Sequence, residues 1–379
     1  VIELKALLIG DLHIDNVKTS ITNSDSFHEI FNLFDLIRNI IDEEKPDFVI
    51  FFGDVFNSPN KISSSVISIV SKLIADISVD TTTLFIVGNH DDFDNKVSEV
   101  KVGDRNIKVR SSLLSPFAFY PNVIVFDSPK VVKIQDGVEV AFIPYSTDIY
   151  ESLAEADKHF SAGTKRILMG HFDMYQVFYR HKQAGNEDRK HPSAEELIRK
   201  YNYDLVLLGH IHDPAEYEVD GKYAKYIGSC RNVDFRNLGE EKGIYIFDFD
   251  TFGMKFINNP YTYVYKIFDN LDDLANYCKN NEPYKLSKTK VLYKYSGETD
   301  MRKALQFKDK LKLIKFAKRM DNLDNNNLTN VNNNILQEFE QLITNNLITH
   351  EKLVDYAIQF KEPPCKETAL KIIDYINRI

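Results

Sequence analysis

Seven residues of metal-ligand type stand in this sequence directly behind apolar runs that close on glycine. Leu205-Val206-Leu207-Leu208 leads through Gly209 into His210-Ile211-His212, and Ala6-Leu7-Leu8-Ile9 leads through Gly10 into Asp11-Leu12-His13. Phe48–Phe52 leads through Gly53 to Asp54, Leu84–Val87 through Gly88 to Asn89-His90-Asp91, and Ile167–Met169 through Gly170 to His171. Residues two apart on a strand point the same way, so His210 and His212 can face one point. Any one of these pieces alone reads as a polar loop or an ordinary strand-to-helix turn; five repeats of one grammar are not chance. Imidazole with carboxylate and amide oxygen suits Mn, Fe or Zn, and the lack of thiolates argues against a structural zinc. Seven donors exceed what one four-coordinate ion needs. They suit two divalent ions about 3.5–4 Å apart bridged by a carboxylate, as in enzymes that cleave phosphate esters.

Such a cluster needs five strand ends delivered to one place. In open α/β sheets that place lies beyond the carboxyl ends of the strands. The first ~260 residues read as alternating β and α segments. Phe27, Ile30, Phe31, Phe34, Ile37 and Ile41 mark the apolar stripe of a first helix with Ser26 as its cap, and Val66, Ile69, Val70 and Leu73 mark a second. Continuous apolar strands between such helices predict a parallel sheet buried on both faces. After about Tyr120 strands dominate: Val123–Phe126, Val131–Ile134, Val138–Pro144, Ala224–Ile227 and Gly243–Phe249. The fold class expected is α/β, with two packed mixed sheets flanked by helices. Tyr261–Phe268 and Thr289–Tyr295 read as strands around a short helix at Leu271–Tyr277, and a short helical tail closes the chain.

Composition excludes several classes. The chain has 379 residues, 43% hydrophobic and 27% charged, which is ordinary for a globular protein. No run approaches the ~20 apolar residues of a membrane span, and the strand-like start has no basic n-region, so neither a membrane anchor nor a signal peptide is expected. Three scattered cysteines without CxxC spacing argue against a disulfide framework and against a zinc ribbon, and the expected compartment is cytoplasmic. A formal charge of −9 means that any nucleic-acid contact must be local, weak or shared with a partner. Arg302–Arg319, with eight Lys or Arg and one Asp, is the only strongly basic stretch: a solvated helix face, or a DNA or partner contact. Tyr179–Pro192 reads as a long exposed loop, and Asn322–Asn334, with eight asparagines, as a linker. Beyond it Leu353, Tyr356, Ala357 and Phe360 share one helical face, and Ala369, Ile372, Ile373 and Ile376 another.

Asp-x-His, Gly-Asp, Gly-Asn-His-Asp, Gly-His and Gly-His-x-His, in this order, resemble the five signature motifs of the calcineurin-like metallophosphoesterases. By that resemblance Asp11, His13, Asp54 and His212 hold one ion, and Asp54, Asn89, His171 and His210 hold the other, with Asp54 bridging. His90 then serves catalysis, giving a proton to the leaving oxygen or stabilising its charge, and Asp91 orients His90. Protein phosphatases of this superfamily carry Glu after Asn-His; here Asp91 follows. The run Gly53-Asp54-Val55-Phe56, with Tyr226-Ile227-Gly228-Ser229 and Glu241-Lys242-Gly243-Ile244-Tyr245, resembles the SbcD-type DNA nucleases. That resemblance implies manganese, 3′-to-5′ exonuclease action on duplex DNA and endonuclease action on single strands, in recombination and repair. It implies a homodimer and a coiled-coil SMC-like ATPase as partner, since this chain has no GxxxxGK[ST] of its own. It also implies a layout: a nuclease domain over 1–258, a small capping, DNA-contacting domain over 259–320, the linker over 321–334 and a helical partner-binding segment over 335–379. Phage recombination nucleases are similarly compact, which suggests a phage origin and the host cytoplasm. Many members carry His three positions after the Gly-Asp aspartate, where it helps to hold the DNA strand; this chain has Asn57. A phosphodiesterase or nucleotidase acting on small molecules would use the same centre, and a scaffold that mainly binds the ATPase would keep the motifs too.

Overall fold

The computed structural model describes residues 4–15, 25–60, 62–102, 105–176, 190–233, 235 and 241–318. Each apolar run becomes a strand whose successive side chains serve two different layers. In β1 (Lys5–Ile9) Leu7 and Ile9 face one layer while Ala6 and Leu8 face another. β2 (Phe48–Phe51) and β3 (Thr82–Ile86) split the same way, with Phe51 and Phe85 on one side and Ile50, Leu84 and Ile86 on the other. A strand covered on both faces has no solvent side, which is why these runs are apolar throughout rather than alternating.

The first helix, α1 (Asp25–Glu44), and the second, α2 (Ser64–Ser78), cover the outer face of this sheet with Ile30, Leu33, Ile37, Val66, Val70 and Ile74. The Ser63 hydroxyl accepts from the Val66 N–H at 3.4 Å and caps α2. Ser26 is not the cap of α1: the helix already includes Asp25, so Ser26 lies inside its first turn. After β3 the chain makes a two-stranded antiparallel ribbon, β4 (Asp92–Val102) with β5 (Arg105–Ser112), for which the sequence reading had no strands.

β6 (Val123–Phe126) returns to the edge of the first sheet. A second sheet follows: β7 (Lys130–Gln135), β8 (Val138–Ile143), β9 (Lys165–His171), β10 (Leu205–Gly209), β11 (Ala215–Val219) and β12 (Lys222–Tyr226). Its strand order is β11-β12-β10-β9-β8-β7. β13 (Gly243–Asp248) and β14 (Met254–Asn258) then complete the first sheet, ordered β14-β13-β1-β2-β3-β6. Parallel pairs form each centre, antiparallel pairs both margins of the second sheet and the β14-β13-β1 side of the first, while the β3–β6 margin is parallel. Both sheets are therefore mixed, as expected. Between them lie Ala6, Leu8, Ile50, Phe52, Phe142, Ile167, Met169, Leu205 and Leu207, with the rings of Phe126 and Phe142 stacked at 4.1 Å. The outer face of the second sheet is closed by α3 (Ile149–Asp157) and by Leu197, Ile198 and Tyr201.

A smaller three-stranded sheet follows, β15 (Val264–Phe268), β16 (Thr289–Tyr295) and β17 (Leu313–Lys318). The basic stretch is not one helix face: it runs through a short helix, Glu298–Ala304, a tight turn and β17. The chain divides into two compact units, Val1–Tyr293 with Thr299–Phe316, and Lys294–Glu298 with Ala317–Ile379. The linker and tail expected over 321–379, and most of the loop expected over Tyr179–Pro192, lie outside the described residues. Among the described residues no helix is long and apolar enough to cross a membrane. Cys230 and Cys278 are free and buried.

Candidate metal centre

The carboxyl ends of β1, β2, β3, β9 and β10 point the same way and carry the five motifs. Immediately past them the backbone leaves extended geometry. His13, Asp54 and His210 have φ of 48°, 49° and 81°, in the left-handed region that side chains rarely adopt. Such conformations persist only where the surroundings hold them. Here they do: the His13 N–H donates to the Asp54 carbonyl at 2.8 Å, the His90 N–H to Asp54 Oδ1 at 2.8 Å, and the His210 N–H to Asp11 Oδ1 at 3.0 Å. Two glycines make room for this crowding. A Cβ on Gly53, whose φ is +92°, would stand 2.4 Å from His171 Nδ1, and one on Gly88 would stand 2.2 Å from Asp54 Oδ1. The glycines of the second and third motifs are thus packing requirements of the ligands they crowd.

Asp11, His13 and His212 form one group with ligand atoms within 4.8 Å of one another, and Asp54, His171 and His210 form a second. Asp54 belongs to both neighbourhoods, with Oδ2 3.5 Å from His13 Nε2 and Oδ1 3.3 Å from His171 Nε2. Asn89 joins the second group, its Oδ1 3.2 Å from His171 Nε2. All seven sequence-predicted ligands come together. Their ring nitrogens converge: His212 Nε2 faces His13 Nε2 at 2.9 Å, and His210 Nδ1 faces His171 Nε2 at 3.2 Å. His171 Nδ1 donates to the Phe52 carbonyl at 2.6 Å, which leaves Nε2 to face Asp54 and Asn89.

The electrostatics call for cations. Asp11 and Asp54 are buried, and no described lysine or arginine pairs with either. Burial pushes the Asp11 carboxyl up to about 7, against the pull of His171. Burial would raise Asp54 too, but His171 and His13 beside it hold it well below the usual carboxylate range. Burial lowers His171, yet Asp54 and Asp11 outweigh it and lift the imidazole to about 10, while burial takes His13 down to about 3. His13 Nδ1 is buried with no hydrogen-bond partner. Facing ring nitrogens, buried carboxylates with no lysine or arginine partner and an orphaned ring nitrogen are what a pair of divalent ions would satisfy, so the donor set fits two such ions.

His90 stands at the edge of the cluster, half-buried, its ring 4.8 Å from that of His13. Its Nδ1–H donates to the Asn57 carbonyl at 2.6 Å, which turns Nε2 into the acid–base nitrogen. Asp91 does not orient it. The Asp91 carboxylate accepts from the Phe56 N–H at 3.0 Å and the Gly88 N–H at 3.1 Å, so it ties the second and third motif loops together instead. The backbone of Asn57 therefore does the orienting that the sequence reading gave to Asp91, while its side-chain amide donates to Asp15 at 3.2 Å.

Three neighbours were not read as site residues. Asp173 Oδ2 lies 3.2 Å from His210 Nε2, which fixes His210 to present Nδ1 to the cluster. The Tyr145 ring packs 5.8 Å from that of His210. Lys242, quoted only for a resemblance, has a fully buried amine that donates to the His212 carbonyl at 2.6 Å and to Asp213 at 3.2 Å. Asp173 stands two residues past His171, the spacing that made Asp11 and His13 a pair, and that signal could have found it.

A model of the calcineurin-like phosphoesterase family matches residues 4–214, more than half of the chain and all five motifs. The chain belongs to this family. Family membership carries metal-dependent hydrolysis of phosphoesters, and the phosphoesterase sandwich is the fold described above. No curated protein matches the sequence. Among solved structures it is similar to a novel archaeal phosphodiesterase, at 18% identity and a TM-score of 0.34, over 67% of this chain and 99% of that one. It is also similar to GAP50, the anchor in the inner membrane complex of Plasmodium, at 12% identity and a TM-score of 0.39, over 68% of this chain and 85% of that one.

Proposed function

We propose that this phosphoesterase is a DNA nuclease, a two-metal phosphodiesterase that works with manganese as the nuclease subunit of an SMC-like ATPase complex in recombination and repair. The observation that carries the choice of DNA is a group of cations near the metal centre in a chain of net charge −9. Lys290 lies 4.0 Å from the Tyr263 ring centroid and 3.0 Å from the Tyr265 hydroxyl, and Lys312 lies 5.6 Å from the Tyr263 centroid. Burial takes the Lys290 amine down to about 8, and Arg231, Lys312 and Lys315 are close enough to add to that shift. Arg231 in turn touches the His13 carbonyl. Lys290, Lys312 and Lys315, joined to the ligand loop through the buried Arg231–Glu29 pair, suit a polyanion more than a single nucleotide. The remote runs that resemble SbcD-type nucleases also support this reading. The Ser229 N–H donates to the His212 carbonyl at 3.0 Å, and Lys242 grips the same carbonyl.

Asp11, His13, Asp54 and His212 would hold one ion, and Asp54, Asn89, His171 and His210 the other. When bound, such a pair supplies a water-derived nucleophile near neutral pH and neutralises phosphate charge. His90, held by Asn57, keeps Nε2 free to give a proton to the leaving 3′ or 5′ oxygen. Asp173 holds His210 in one orientation throughout. The ATPase would dock on the C-terminal helices and lend the DNA grip that this chain has only locally, and a second copy would complete a homodimer.

The test is cleavage of end-labelled duplex DNA and of closed-circular single-stranded DNA in manganese, beside His90→Asn, with and without a candidate ATPase. Cleavage that His90→Asn lacks, with its manganese content intact, supports the nuclease and the division of roles. Intact DNA under every condition, with nucleotides or bis-nitrophenyl phosphate hydrolysed, would move the substrate to small phosphodiesters.

A further inference from the structure

We infer that Arg231, paired with Glu29, is a positioning residue that holds the Asp11–His13 ligand loop in shape and ties it to the root of the three-stranded sheet. Both residues are buried, at 8% and 4% exposure. Arg231 Nε donates to the Leu12 carbonyl at 2.6 Å and Nη2 to the His13 carbonyl at 2.8 Å, so one guanidinium edge spans two consecutive peptide oxygens. Nη1 donates to Glu29 Oε2 at 3.0 Å. The planar fork matches this pattern and a lysine amine does not.

The held residue is the strained one. His13, in left-handed geometry, has its N–H taken by the Asp54 carbonyl and its C=O taken by Arg231. Without the guanidinium, two buried carbonyls lose their donors and the loop loses its reason to stay left-handed. Asp11 and His13 would move with it. Asn89 and His171 are bonded to neither Leu12 nor His13, and His210 meets the loop only through its N–H on Asp11, so their site would be disturbed less.

The same pair reaches the chain that enters the small sheet. Glu29 Oε1 accepts from the Tyr263 N–H at 3.1 Å. Asn232, next to Arg231, donates twice to this segment: its N–H to Thr262 Oγ1 at 2.7 Å and its side-chain amide to the Tyr263 carbonyl at 2.9 Å. The segment leading into β15 and the loop bearing His13 are therefore joined through one ion pair, and displacement of either is felt by the other. Both lie in the first compact unit. The inference rests on the two-ion reading and adds selectivity to it: the pair governs the Asp11–His13–His212 site more than the Asn89–His171–His210 site, which meets the loop through the His210 N–H on Asp11.

Manganese binding by the full chain tests this, with calorimetry for affinity and electron paramagnetic resonance for the spin-coupled pair. A buried ion pair replaced on both sides by apolar groups of similar size commonly retains the fold, so the decisive protein is Glu29→Leu with Arg231→Met. It should melt near the wild type, lose at least tenfold more affinity at one manganese site than at the other, and show an uncoupled signal at low loading. Arg231→Lys, which keeps the charge without the fork, should weaken the same site by less. Two ions bound with wild-type affinity by the folded double variant, or equal weakening of both, would overturn the inference. Should the double variant not fold, Arg231→Lys decides by the same criterion. A wild-type chain that binds fewer than two ions would instead remove the two-ion reading, and the inference with it.

Discussion

Asp54 shows how much one side chain is asked to do. Its two oxygens face His13 and His171 from opposite sides, its backbone carbonyl holds His13, and its own φ is strained. Space around it is correspondingly tight. Gly88→Ala should place a methyl group against Asp54 Oδ1, so we expect loss of manganese binding and of hydrolysis while circular dichroism stays native-like. Retained binding at wild-type affinity would show that the loop yields. Asp173→Asn removes the carboxylate that orients His210, and manganese affinity should fall by about 10- to 100-fold, read by titration. These two residues also mark the limit of sequence reading at this scale. Gly88 stood inside a motif whose types and spacing announced it. Asp173 offers only its two-residue spacing from His171, and Arg231 looks in the sequence like any charged residue of a loop, because what sets it apart is burial and the partners it meets.

Strands were legible for a physical reason. Runs such as Phe48–Phe52 and Leu205–Leu208 are apolar on both sides because each strand touches two layers, so length and Gly punctuation suffice to find them. Short amphipathic strands gave less away. β11 and β14, at the margins of their sheets, carry Glu216, Glu218, Lys255 and Asn258 and gave no strand signal; the ribbon β4–β5 is as polar. The order of strands was not legible either, since β13 pairs with β1 across almost the whole length of the domain. Where two sheets meet, the packing is testable. Phe142 lies fully buried between them, stacked on Phe126. Phe142→Ala should cost about 3–5 kcal/mol of stability in urea denaturation, whereas Phe119→Ala, at a ring that is 89% exposed, should cost little.

Across the whole molecule the metal centre couples acidity to stability. His171 has a folded pKa of about 10 against about 6.5 unfolded, and Asp11 one of about 7 against about 3.8, so between pH 7 and 8 this cluster binds more protons folded than unfolded. Stability of the metal-free protein should therefore fall as pH rises through this window, since what the raised histidine contributes is fully present only below its unfolded pKa. Lys290, lowered to about 8 by burial, works the other way above pH 8 and flattens the trend there. Melting temperatures in chelator should drop from pH 7 to 8 and level off toward pH 9. Manganese should raise them and flatten the slope, because ions replace the protons. A metal-free protein that is more stable at pH 8 than at pH 7 would contradict the assignment of charge in the cluster. The distance in sequence between the ligands has one more consequence. The His210 N–H meets Asp11, 199 positions earlier, and the last ligand is His212. A nascent chain on the ribosome thus has both carboxylates and Asn89 outside the exit tunnel long before the last two imidazoles arrive. A hydrolase wired this way is inert while it is being made, and comes alive only once both of its sheets have been translated and closed on each other.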